Sequence, residues 1–245
     1  MNYRAFLLFL CCLLTVPAAA QDRNVAFTLR AGYVIGGTTP VPLPSEIRSV
    51  NAFHPLGGVT VGADVRYPLS DRWAVQAGGH FFYEGFHTTA EVKNYRMAIT
   101  QGQNYLEGNF TGTDETDTWM LGCTIPVTAA FCLSPRWRLS AGPFASFLFT
   151  GRFEGLVYDG YLREGDPTGQ KVEMTRENPA TYDFRSDMRH AFWGLQFLAD
   201  WQPSRHWGAF VGVDWGLSSI FPASFKTVEF KMFPIYAKMG IAYHF

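Results

Sequence analysis

Four cysteines in 245 residues leave little material for a disulfide framework, and two of them, Cys11 and Cys12, fall inside an amino-terminal apolar run. The other two, Cys123 and Cys132, stand nine residues apart on one alternating stretch. At the rise of a strand that is about 30 Å, too far to bridge. Charge is sparse and balanced, with 20 Lys and Arg against 21 Asp and Glu, which excludes the basic footprint of a nucleic-acid-binding chain. Beyond the amino terminus no apolar run approaches the length that a membrane helix needs, so membrane residence would have to be by strands. None of the six histidines falls in HxxxH spacing and no CxxC occurs, so no metal or other cofactor is read.

What is present begins with a leader. Arg4, an apolar stretch from Ala5 to Val16 and the small residues Ala18, Ala19 and Ala20 describe a secretory signal peptide over residues 1–20, leaving 21–245 as one all-β domain. From there the chain alternates with a two-residue period. The first run sets Phe27, Leu29, Ala31 and Tyr33 against Thr28, Arg30 and Gly32, and the last sets Met239, Ile241, Tyr243 and Phe245 against Lys238, Gly240 and His244. Six similar runs lie between them. Phe82, Phe144, Phe192, Leu198 and Phe210 break the pattern by falling on the polar face, and Pro143 and Pro234 are expected at bulges or poorly paired ends.

A short motif recurs three times, as Leu69-Ser70-Asp71-Arg72-Trp73, Leu133-Ser134-Pro135-Arg136-Trp137 and Pro203-Ser204-Arg205-His206-Trp207. Each reads as a tight turn followed by a Trp at a membrane interface. The connections between alternating runs are in turn short and long, the long ones covering residues 38–56, 87–118 and 154–188. Aromatic residues collect at both ends of the apolar face. Trp73, Trp137, Trp207 and Tyr243 lie near the turns, and Tyr33, Tyr83, Trp119, Phe149, Trp193 and Trp215 lie at the far end. Ten tilted residues between such rings give roughly 25 Å, the height of an outer-membrane apolar band. A soluble barrel has the same period but no reason for two rings.

The final strand, with Met239, Ile241 and Tyr243 alternating up to an aromatic Phe245, resembles the closing strand of bacterial outer-membrane β-barrels. With the turns and the alternation, the resemblance covers essentially the whole chain after the leader and points to the porin-like outer-membrane β-barrel family that includes PorT-type proteins. It implies a closed antiparallel up-and-down transmembrane β-barrel of eight strands, or ten if a long loop adds a hairpin. It also implies an outer-membrane location with both termini periplasmic, contact with outer-membrane lipid, and recognition of the terminal strand by the barrel-assembly machinery.

If the apolar face meets lipid, the lumen receives Arg30, Asp64, Arg66, Gln76, His80, Glu84, Arg138, Arg152, Gln196, Asp200, Asp214 and Lys238. Eight strands leave an interior that side chains fill, so these groups are expected to pair and plug it. His80, Glu84 and Ser146 are the nearest approach to a catalytic set, and their spacing does not single them out. The expected function is non-enzymatic: an envelope scaffold, or a surface barrel whose long loops, bearing Tyr95, Tyr105, Tyr158, Tyr161 and Tyr182, meet a protein or glycan. The alternatives are a membrane subunit of a secretion or transport assembly, as the PorT resemblance implies, a narrow pore, and a lipid-processing barrel.

Overall fold

The structure, a computed structural model, describes residues 25–225, 227 and 231–245; the leader expected over residues 1–20 lies outside them. Eleven strands form one antiparallel sheet. Eight are long enough to make a wall: β1 (Ala26–Pro40), β3 (Gly58–Pro68), β4 (Trp73–Gln101), β5 (Asn104–Cys132), β6 (Trp137–Glu164), β9 (Ala191–Trp201), β10 (Trp207–Gly216) and β11 (Met232–His244). Each pairs with the next in that order, and β1 also pairs with β11, Arg30 standing opposite Gly62 on one side and Ala242 on the other. Every wall strand therefore has two partners. That is the only way a sheet can meet hydrocarbon without an unpaired row of N–H and C=O groups.

The repeated turn motif has one physical cause. In each copy the serine hydroxyl accepts the backbone N–H of the Trp three residues on: Ser70 from Trp73, Ser134 from Trp137 and Ser204 from Trp207, all at 3.1 Å. The side chain takes the place of a backbone acceptor and reverses the chain in the fewest residues. These three turns, the start of β1 and the end of β11 share one rim, called here the turn rim.

The opposite rim departs from the expectation of polar loops. β4, β5 and β6 run for 29, 29 and 28 residues, against 10 to 15 for the other five wall strands. Much of the stretches 87–118 and 154–188 is thus a three-stranded continuation of the wall, raised on one side only. The short strands β2 (Ile47–Pro55), β7 (Lys171–Met174) and β8 (Ala180–Asp183) brace it, β2 along β4 and the other two along β6. They add to the sheet without entering the ring, which stays at eight.

Irregularities hid this continuation from a two-residue reading. The register shifts between Val92 and Tyr95 on β4, between Thr111 and Thr113 on β5, and where Leu121 faces Thr150 while Gly122 faces Leu148. Asn94 takes up one shift in a left-handed conformation, φ 57°, with its N–H on the Thr111 hydroxyl. The prolines behave differently from one another. Around Pro143 the β5–β6 ladder has a gap with no change of register, whereas Pro234 follows the point where β10 and β11 stop pairing. Cys123 and Cys132 both lie on β5 and are free.

Candidate functional site

The wall has opposite faces. Val61, Val127 and Val213 are about half exposed on the outside, while Arg30, Asp64 and Asp200 on the inside are all but completely buried. Two aromatic girdles ring the outer face. At the turn rim Trp73 packs on Phe131, Trp137 on Trp201, Trp207 on Tyr243 and Tyr243 on Phe245, with centroids 4.9 to 6.3 Å apart. At the far end Tyr83 meets Trp119 and Phe81 meets Phe149, both at 6.1 Å, and Tyr33, Trp193 and Trp215 are exposed nearby along the strands.

The interior is built around Arg30. Its Nε donates to Asp64 Oδ2 at 2.5 Å, its Nη1 to Asp200 Oδ1, and its Nη2 to Asp200 Oδ2 at 3.1 Å. The guanidinium lies 5.2 Å from the centroid of the Phe210 ring. Asp64 also meets His80 Nε2 at 2.9 Å. One cation thus bridges two carboxylates from strands on either side of the seam, an arrangement in which a buried charge is tolerable. Further along the barrel, Lys238 Nζ donates to Asp214 Oδ2 at 2.9 Å and lies 2.8 Å from its Oδ1 as an ion pair, and the Thr124 and Ser146 hydroxyls bond one another at 2.7 Å. Gln76, Glu84 and Gln196 are buried in the same interior. Arg66 and Arg138 sit partly buried towards the turn rim and form no ion pair among the described residues.

Arg152 does not belong to this set. The irregularity at Phe149 places Phe149 and Thr150 both on the outside, so the side chains that follow on β6, as far as the next shift near Tyr158, change face. Arg152 consequently points outward beside Trp119, 43% exposed, and donates to Glu154 Oε1 at 2.9 Å.

The apolar exceptions on the polar face turn out to be a packing device. Phe82, Phe144 and Leu198 each lie over the glycine opposite them, Gly122, Gly194 and Gly212, and Phe210 lies over Gly32 across the seam. A Cβ at any of these glycines would meet the ring or side chain at 2.7 or 2.8 Å. Large side chains can therefore lie flat across a narrow bore. Between the ionic groups and this apolar layer remains a cavity of about 30 Å³, bordered by Glu84, Asp214, Lys238 and Tyr236. That is room for about one water.

Above the apolar layer the raised wall has the reverse polarity. Val92, Met97, Ile99, Phe110, Val157 and Leu162 are buried on its concave side, while charged groups decorate its convex side. There His87 bonds Asp117 at 2.9 Å, Arg96 bonds Glu107 at 2.8 Å and Arg185 approaches Glu154 at 3.5 Å. Tyr182 OH donates to Asp114 Oδ1 at 2.9 Å and lies 2.6 Å from the Thr116 hydroxyl. Burial pushes the Asp114 carboxyl up to about 7; the Tyr182 bond lowers it and neighbouring Glu115 raises it. Of the loop tyrosines, Tyr105 is exposed near the tip of the β4–β5 hairpin, whereas Tyr95, Tyr158 and Tyr182 are buried in the raised wall.

Sequence reasoning anticipated most of the interior charges and missed Asp114, Thr116 and Tyr182 as a group. They come from segments expected to be loops, and only the β8–β6 pairing brings Tyr182 to β5. Among the described residues no cluster of three or more metal-ligating side chains occurs.

No curated protein matches the sequence. Among solved structures, the chain is similar to Ail, the attachment invasion locus protein of Yersinia pestis, at 9% identity and TM-score 0.39, covering 91% of this chain and 99% of that one. It is similar to Neisserial surface protein A at 10% identity and TM-score 0.36, covering 90% and 99%. It is also similar to OprG from Pseudomonas aeruginosa at 13% identity and TM-score 0.34, covering 91% and 96%. Residues 19–222 match the model of the outer membrane protein beta-barrel domain, and the chain belongs to that family.

Proposed function

We propose that this outer-membrane β-barrel is a non-enzymatic surface protein: a sealed cylinder that holds the raised β4–β5–β6 wall outside the cell, with both termini on the periplasmic side. The observation that carries the reading is the asymmetry between rims. One rim is trimmed to three serine turns; at the other, three adjacent strands continue past their neighbours and are braced by β2, β7 and β8. A rigid, polar-faced platform on a scaffold is the kind of element on which binding surfaces are built. The narrow, ion-paired interior supports a structural role for the lumen, since eight strands leave a bore that side chains fill.

Two measurements test this. Cysteine introduced at Gly102, in the β4–β5 hairpin, should be labelled by a membrane-impermeant maleimide on intact cells, while cysteine at Asp71, in a serine turn, should be labelled only after lysis; the unaltered chain gives the background from Cys123 and Cys132. The reverse pattern would overturn the orientation. In planar bilayers the purified barrel should pass no stepwise current, and a steady open-channel conductance would overturn the sealed lumen.

A further inference from the structure

A second cavity, of about 230 Å³, lies between the raised wall, the end of β1 and β2, unlike the single-water gap in the lumen below it. Its surface is mostly hydrocarbon, from Leu43, Ile47, Phe53, Phe86, Val92 and Phe184. Into this surface are set Asp114, Thr116 and Tyr182. The hydrogen bonds run in one direction along this group. Tyr182 donates to Asp114 Oδ1, which leaves the Thr116 hydroxyl to donate to Tyr182. Asp114 Oδ2 has no hydrogen-bond partner among the described residues.

Asp114 is partly exposed where it borders this cavity, so its second oxygen stands as an acceptor for a donor that enters. The size narrows what that is. An engineered apolar cavity of about 150 Å³ accepts benzene, and drug-sized ligands need about 300 Å³ or more. One ring with a short polar substituent fits between these limits.

We infer that this chamber binds a small, single-ring apolar molecule carrying one hydrogen-bond donor, an amine or an alcohol, with the donor on Asp114 and the ring among Phe53, Phe86 and Phe184. This goes beyond the surface role proposed above and does not depend on which rim faces outward, so its failure would leave that reading intact.

The test uses the full-length barrel in nanodiscs, with empty nanodiscs to subtract partitioning into lipid, and fluorine NMR titration of 4-fluorobenzylamine, 4-fluorobenzyl alcohol and 4-fluorotoluene. The amine or the alcohol should bind at least tenfold more tightly than the toluene. Asp114→Asn should weaken a bound amine at least tenfold, whereas a bound alcohol should change by less than threefold, which identifies the donor. Ala90→Phe fills the chamber from its wall, and Val50→Trp does so from a half-exposed position on β2 where folding is least at risk. Either should abolish the protein-dependent signal. Three equal affinities, no signal above empty discs, or binding unchanged in both filled variants would overturn the inference.

Discussion

The lower barrel and the raised wall share three strands, yet their faces are inverted. In the barrel Val61, Val127 and Val213 look outward and Arg30, Asp64 and Asp200 inward; along the upper parts of β4, β5 and β6, His87, Asp117 and Arg152 look outward and Val92, Phe110 and Val157 inward. The change of medium explains this. Next to acyl chains the outside must be hydrocarbon and polar groups withdraw to pair in the bore, whereas in water the ordinary rule of an apolar inside returns. The inversion is one of residue type: β5 keeps its even-numbered side chains inward all along, from Ala130, Thr124 and Thr118 up to Thr116 and Phe110, whereas β4 after Val92 and β6 after Phe149 shift by one position to keep step with it.

The largest expected effect is on assembly. Phe245 donates its N–H to the Phe27 carbonyl at 3.1 Å and packs edge-on against Tyr243 at 5.0 Å, so it belongs to the seam that closes the ring. Phe245→Asp should nearly abolish the folded, heat-modifiable form in membranes, while Tyr105→Asp, on the raised wall, should leave its yield unchanged. Equal yields would show that the closing strand is no more demanding than the wall.

Next is the ionic centre. Arg30→Leu strands two buried carboxylates and should cost about 3–5 kcal/mol in urea unfolding from lipid vesicles, whereas replacing Arg30, Asp64 and Asp200 together by apolar residues should recover most of that loss. A mild effect of the single change would mean that water reaches the lumen.

The inversion itself is sharpened by placing one substitution on the outer face of both regions. Val211→Arg puts a cation against lipid and should destabilise by about 2–4 kcal/mol if it lies at mid-membrane. Leu156→Arg, on the convex face of the raised wall, should stay within about 0.5 kcal/mol.

A further effect concerns pH. Asp114 is raised in the folded protein, to about 7 from an ordinary value of 3.8, with Tyr182, Tyr95 and Glu115 the titratable groups around it. Between those values the folded state holds a proton that the unfolded chain has lost, so this residue's contribution to stability falls as pH rises from about 4 to 7. Asp114→Asn should flatten that slope in unfolding measurements across the interval; an unchanged slope would mean that the carboxyl is ionised in the folded protein.

The barrel was legible in the sequence because lipid imposes a strict two-residue period, and because Ser70, Ser134 and Ser204 mark each short turn. The raised wall was not. Its period is broken by three bulges, its faces follow the rule for water, and its polar content reads as loop. The same cause misplaced Arg152, which lies only three residues past Phe149. The chamber around Asp114 depends on β8 returning to β6, and no local pattern records that pairing. The apolar intruders Phe82, Phe144, Leu198 and Phe210 were visible as exceptions, but their purpose needed the glycine opposite each one.

Spin labels at Val61, Val213 and Leu156 in lipid vesicles would test the inversion most directly. The account predicts that the labels at Val61 and Val213 are relaxed by oxygen and shielded from a water-soluble nickel chelate, and that the label at Leu156 shows the reverse. Free access of the chelate to Val213 would contradict it.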